Sequence, residues 1–468
     1  MGYAEFLLSL KGENNFKRNK FVDTYTDVFE FDSIHQIENF SNIVEYNTKS
    51  RIVLSKTMDL LSKIYLKYRT NKIEETYFTI NEKKYPLHFR YKANLGYLLL
   101  KKCSLLFDET VIQNFNEIYL RVLPFIQGIK DIDKLIGNQP ELQDFSTTKA
   151  DEILYIPIPF YFNEYESSLI CKELDSIMSI EFEFSSFHSL YEIGPHRYIK
   201  VYQKSCMFNK YDILLQNDIE IGIFFYFDEE NSLLFYNLLN ENDFEVPTTD
   251  SFEDLYYDNK WITNKSNSDF ITIQEESKLI DHEMNYFNIT YMDIDLLYKS
   301  IFVTPQENEL IKNSHQAYLI PFNYVYIFNE YSIFKSIFKL NLREPIIDLI
   351  WGFYDNRFVD CIEFTTIDIN QNVTIFEEHP KNITKNIIYL QNDNISNHNY
   401  LKKENIHRYT FANNIDLFHQ TTGVYRIPQD LVITIKSNIQ SNSGYFFFIV
   451  RTYKKLSIQS KKFKLQNL

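Results

Sequence analysis

The chain has 468 residues, a net charge of −15 and 44% hydrophobic residues, an ordinary globular composition on a length that suits about two to four domains. An acid excess of this size repels nucleic acid and anionic lipid from the molecule as a whole. Only 10 glycines are present, no two of them close enough to form a phosphate loop, which excludes a Walker loop and a dinucleotide fingerprint.

Aromatic residues are abundant at 17%, with 41 Phe and 35 Tyr. They favour half-buried pleated surfaces, so a β-rich fold is predicted. The four cysteines, Cys103, Cys171, Cys206 and Cys361, form no CxxC pair. The N-terminus lacks a basic region followed by a long apolar run, and no 18-residue apolar stretch occurs. A cytosolic protein with reduced thiols is therefore expected. Gly2 opens the chain like a myristoylation signal, but Phe6 stands where Ser or Thr belongs.

In chain order, Arg51–Leu60 runs into Leu61–Tyr68, where Ile64, Leu66 and Tyr68 alternate with Lys63, Tyr65 and Lys67. Such alternation marks a half-buried strand. Tyr97–Phe107 reads as one long buried strand. Thr110–Phe125 and Glu164–Ser176 read as helices. Ile177–Phe184 alternates again, with Met178, Ile180, Phe182 and Phe184 on one face. Ile213–Phe227 is a further strand, and residues 228–283, acidic and turn-rich, read as a long exposed loop. Pro305–His315 has the best helix start, with Thr304 as N-cap, Pro305 at N1 and Glu307 at N3. Phe334–Leu342, Ile346–Phe353, Leu431–Ser437 and Tyr445–Ile458 are strands, while residues 376–406 read as a second exposed loop. The tail from Arg451 carries Lys454, Lys455, Lys461, Lys462 and Lys464 without an acid, a basic patch on an acidic protein. Phe160, Phe162, Phe182 and Phe184 are expected in one core, and Ile347, Leu349 and Trp351 in another.

Little points to chemistry. None of the 10 histidines forms HExxH. His398, His407 and His419 share a stretch without ligand spacing. Asp293 and Asp295 would share a strand face and read as its solvated side. No GxSxG elbow occurs. No catalytic residue, no metal and no cofactor is expected.

Several segments, in order, resemble the major capsid proteins of nucleocytoplasmic large DNA viruses. Ile153–Phe162 (ILYIPIPFYF) is similar to the family's IPLPFWF run, and Ile180–Phe187 to its strand ending near FRPF. Asn94–Phe107 (NLGYLLLKKCSLLF) is similar to LG.ALIKEVELEIGG, with Asp108-Glu109 in place of the Gly-Gly. Lys20–Tyr25, Asp59–Leu66, Glu307–Ile320, Leu340–Trp351 and Phe446–Ile458 match further family segments. The family's PSGTCNFSRIDN strand is absent, and Tyr425–Asp430 occupies its place.

The resemblance implies an all-β double jelly roll: two eight-stranded antiparallel sandwiches with long loop insertions and a few short helices. The expected division is residues 1–312 for an N-terminal roll with the acidic insertion at about 228–283, and 313–468 for a C-terminal roll with the basic tail. The implied function is a structural shell subunit, not an enzyme. It would form homotrimeric, pseudo-hexagonal capsomers of an icosahedral capsid. Expected contacts are neighbouring capsomers, minor capsid proteins and the internal virion membrane, without sequence-specific nucleic-acid binding. Localisation would be the virion, assembled in the host cytoplasm. The acidic insertion and the basic tail would lie at opposite ends of the subunit. The alternatives are a non-virion assembly scaffold or minor capsid paralogue of the same fold, and a jelly-roll carbohydrate-active enzyme working through paired carboxylates.

Overall fold

A computed structural model describes residues 31–467, leaving outside the description residues 41, 128–131, 165–168, 172–173, 240–242, 245–260, 266–269, 283–285, 307–308, 310–315, 333, 342–343, 356, 370–372, 379–404, 412–424, 427–430, 440–443 and 460–461. The first sandwich has one sheet in the order Phe31–Asn39, Tyr291–Val303, Leu60–Arg69, Ile153–Pro157, extended by the short Val44–Glu45 and Leu169–Ile170 segments. It faces a four-stranded sheet in the order Lys49–Val53, Met178–Phe184, Leu100–Phe107, Thr110–Asn116. The Leu60–Arg69 strand explains the layering. Leu66 lies opposite Ile156 on one side and Leu296 on the other, and Tyr68 opposite Leu154 and Ile294. These rows face the core, where Leu66 and Tyr68 are wholly buried. Each such aliphatic side chain contributes about 1.5–3 kcal/mol on burial. Phe160, Phe162, Phe182 and Phe184 all lie in this core, fully buried.

Three sequence expectations change here. Tyr97–Phe107 divides into a helical turn at Leu95–Leu98 and a strand at Leu100–Phe107. Asn94 takes a left-handed φ of 57° ahead of the turn, and the Asn138 side chain accepts its N–H at 2.6 Å. Thr110–Phe125 is a strand at Thr110–Asn116 and a helix at Glu117–Gln127. The β-branched Thr110, Val111 and Ile112 suit a strand, and Asp108, at φ 53°, reverses the chain without the glycines of the resembling family. Asn116 then caps the helix by accepting the Tyr119 N–H at 3.0 Å. Of Glu164–Ser176, only Glu164 is helical among the described residues, as the end of a turn at Tyr161–Glu164; beyond it Leu169 and Cys171 are buried at period two and Leu169–Ile170 pairs with Leu60–Leu61. Of the Pro305–His315 helix, Pro305, Gln306 and Glu309 are helical and the rest lies outside the described residues.

Residues 228–283 hold strands rather than one loop. They contribute to a seven-stranded sheet in the order Phe270–Thr272, Trp261–Asn264, Ile213–Gln216, Ile219–Asp228, Leu233–Leu238, Arg197–Lys200, Lys278–Leu279. One face carries its own core of Ile199, Leu214, Phe224, Leu234, Tyr236, Ile262 and Ile271. The other sends Phe225, Leu233 and Phe235 into the first sandwich's core. The strands are short and separated by acids, which hides their alternation in the sequence.

The second sandwich joins Gln316–Phe328, Tyr445–Gln459, Pro345–Asp355 and Arg357–Val359, flanked by His407–Thr410, Tyr425–Arg426 and Lys462–Asn467. Opposite lie Lys335–Leu340, Leu431–Ser437, Ile362–Ile369 and Val373–Glu378. All of these pairings are antiparallel. Leu349 and Trp351 face this core as expected. Ile347 is buried outside it and Ile346 takes the inward place, because a bulge between Ile346 and Asp348 shifts the register. Residues 379–404, most of the second expected loop, lie outside the described residues.

Phe182 stacks on Phe184 at 5.9 Å and meets Phe40 edge-on at 5.9 Å. Phe182→Ala is expected to cost about 3–5 kcal/mol, read as a lower thermal midpoint by circular dichroism. Glu183→Ala, which removes an exposed pair with Lys49, should cost under about 1 kcal/mol. Equal midpoints for the two variants would contradict the assigned faces.

Candidate assembly site

The seam between the two sandwiches is built on Tyr445–Gln459. Phe446, Phe448 and Val450 enter the second core, whereas Phe447, Ile449, Leu456 and Ile458 join the first. Ile350 and Ile320 do the same from neighbouring strands. Across the seam, buried Gln113 donates through Nε2 to the Pro321 carbonyl and accepts the Tyr161 N–H at Oε1, both at 2.9 Å. Arg121 reaches the Tyr354 hydroxyl and lies over its ring at 5.0 Å. Phe107 meets Phe463 edge-on at 5.3 Å.

Three deeply buried charges occupy the same sheet face. Asp348 alternates with Ile350, and Arg451 with Ile449, so both point toward the first sandwich. Arg451 donates through Nε to Asp348 Oδ1 at 2.6 Å, and Arg408 through Nε to Oδ2 at 2.7 Å. All three side chains are 7% exposed or less. Burial alone would raise the Asp348 carboxyl, but Arg451 and Arg408 outweigh it and hold the group below the ordinary carboxylate range. The sequence places Arg451 at the head of the basic tail. The structure corrects this: Arg451 is a core charge, and Lys454 lies 3.6 Å over the Phe322 ring.

The seven-stranded insertion sheet is fastened to the first sandwich by a second polar cluster. Asp228 accepts from Lys83 Nζ at 2.8 Å, the Tyr85 hydroxyl at 2.7 Å and Asn231 at 2.7 Å. Burial pushes its carboxyl up, but these bonds bring it down to about 2. Lys83 also pairs with Glu230, and Arg197 with Asp243. The acids expected to be exposed are thus partly structural. Residues 245–260, which hold Glu245, Asp250, Glu253, Asp254 and Asp258, lie outside the described residues.

Asp293 and Asp295 do share a solvated face, opposite Arg69 and Lys67, with which they form ion pairs at 3.1 Å. His407 stacks on Trp351 at 5.6 Å, while His398 and His419 lie outside the described residues. Among the described residues no group of three or more His, Cys, Asp or Glu side chains gathers as a metal site. None of the four cysteines is in a disulfide. Sequence reasoning missed the seam's polar residues, because Gln113 and Asp348 have no local motif. Asp348 between Ile347 and Leu349 in an otherwise apolar strand was the available signal.

Asp348→Asn leaves two buried arginines facing each other and is expected to cost about 3–5 kcal/mol. The folded carboxyl titrates below its unfolded value, so its stabilisation is present above about pH 4 and lost as pH falls through the folded pKa. Urea midpoints from pH 7 to 3 should therefore fall less steeply in the variant than in wild type. Gln113→Leu orphans a carbonyl and an N–H, each costing about 1–3 kcal/mol. A wild-type melting midpoint for this variant would contradict the seam.

Residues 20–201 match the family model described as the major capsid protein N-terminus. A probable capsid protein 4 of Acanthamoeba polyphaga mimivirus is 28% identical over 192 residues, 40% of this chain and 37% of that protein. The match thus spans little more than a third of that relative. The fold is similar to that in a quasi-atomic model of the PBCV-1 virus capsid, with a TM-score of 0.57 and 11% identity over 94% of this chain and 98% of that one. It is also similar to the Faustovirus major capsid protein, with a TM-score of 0.58 and 8% identity over 92% and 91% of the two chains. Residues 20–201 thus carry the N-terminal signature of major capsid proteins, and the chain as a whole shares the double jelly-roll fold of these capsid structures.

Proposed function

We propose that the protein is a shell subunit of a large DNA virus, and that three copies form a pseudo-hexagonal capsomer in which six rolls stand around one axis. The observation that carries this reading is the seam. A strand whose two faces serve two cores fixes the rolls as one body, and a rigid pair of similar sandwiches is the tile that threefold repetition turns into a near-hexagon. The relative that is similar over 192 residues, 40% of the chain, is named a probable capsid protein. In this reading the rolls divide near residues 305–315, the seven-stranded sheet is an elaboration of the first roll, and no residue is catalytic or holds a cofactor. The partners are two further copies in the trimer, neighbouring capsomers, minor capsid proteins and the internal virion membrane. The location is the virion, with assembly in the host cytoplasm.

Sedimentation of the purified protein tests the trimer. At micromolar concentration a single species at three times the monomer mass is expected, unchanged by a chelator. A monomer at every concentration would contradict the reading. Assembly only on lipid vesicles would favour a membrane scaffold instead.

A further inference from the structure

The chain crosses into the insertion sheet at His196, just before the Arg197–Lys200 strand, and returns at His282, just after Lys278–Leu279. These crossings lie side by side, and the two imidazole rings meet edge-on at 5.3 Å. His282 donates through Nε2 to the Pro195 carbonyl at 2.7 Å, which leaves Nδ1 to accept from the Tyr286 hydroxyl at 3.2 Å. That is a neutral tautomer. The Phe78 ring covers the other side of His282 at 5.5 Å. Space at the joint is small: a Cβ on Gly194 would meet Phe225 Cζ at 2.3 Å. Beneath the same sheet a third imidazole, His88, bonds the Tyr211 hydroxyl at 2.8 Å and packs against Phe225 at 5.2 Å, its Nε2 buried without a partner.

We propose that the His196–His282 pair is a proton-operated hinge: below neutral pH the rings charge against each other and the insertion sheet lifts from the first roll. The surrounding charges do not prevent this. Glu192 faces His196 but is already paired with Arg90 at 2.6 Å. Asp281 beside His282 is exposed, and Lys210 repels a charge on His88. Burial is the main cause that lowers all three imidazoles, His196 and His88 to about 4. The closed joint therefore binds fewer protons than the open one between about pH 4 and 6.5, and closure weakens as pH falls through that window. At pH 5 the His196 shift alone favours opening by about 30-fold. The Asp228–Lys83–Tyr85 cluster, with its carboxyl near 2, still holds at that pH. The motion is thus a pivot on one fastening rather than a release. The joint's chemistry does not depend on whether the subunit builds a shell.

Amide hydrogen exchange of the full chain, corrected for intrinsic rates, tests the hinge at pH 7.5 and pH 5. Exchange in Arg197–Lys200 and Lys278–Leu279 should accelerate about 30-fold or more at pH 5, while Leu431–Ser437 in the second roll stays unchanged. His196→Gln with His282→Gln should cut the acceleration by about 30-fold, leaving only what His88 supplies. No acceleration, equal acceleration in both regions, or full acceleration in the double variant would overturn the proposal. Should the double variant melt at pH 7.5, the wild-type contrast between the two regions decides alone.

Discussion

The structure depends on one strand having no solvent face. Over Phe446–Val450 every side chain is buried, odd and even positions in different cores. Such a strand cannot show the polar alternation of an ordinary sandwich strand, because each position must satisfy an apolar environment. Where the run ends, Arg451 continues into the same face, and its charge is tolerable only because Asp348 meets it across the ladder. An isolated charge at that depth would cost several kcal/mol. The seam thus combines an apolar weld with polar registration: Asp348 and its arginines on one side, Gln113 bridging to Pro321 on the other. The apolar part supplies most of the adhesion. The polar part makes a slipped arrangement expensive, since each of its groups would lose its partner.

The insertion sheet follows a different rule. It has a small core of its own on one face and leans on the first roll with the other. Its attachment is an aromatic floor of Phe78, Tyr85, Tyr226 and Phe235, with Tyr85 and Phe235 at 4.8 Å, pinned at one side by Asp228 and threaded at the other by two histidines. In the proposed role of a shell subunit, the welded part would set the geometry of the lattice, and the attached sheet would vary without disturbing it.

Much of the fold was legible in residue patterns. Ile64, Leu66 and Tyr68 against their lysine neighbours, and Phe182 and Phe184 against Glu181 and Glu183, state their faces directly, because one side of each sheet meets water. Other elements misled for identifiable reasons. The Thr110–Asn116 strand is followed at once by the Glu117–Gln127 helix, so their combined apolar content mimics one long helix. The insertion sheet looked like loop because its strands are two to ten residues long among acids where residues 213–279 form them. The basic tail looked solvated because a buried arginine and an exposed lysine have the same charge, and only the partner at Asp348, 103 residues away, separates them. The family signature was readable at the level of short segments, whereas the seam was not, since it is made by residues distant in sequence.

The welded seam predicts that the two rolls unfold together. With Trp261 replaced by Phe, Trp351, wholly buried in the second core, becomes the single tryptophan reporter in a chain that has only 2. Guanidinium unfolding followed by its fluorescence can be compared with amide exchange in Leu60–Arg69 of the first core over the same denaturant series. Coincident midpoints are the predicted result. A Trp351 transition complete at denaturant concentrations where Leu60–Arg69 remains fully protected would show two independent domains and contradict the account.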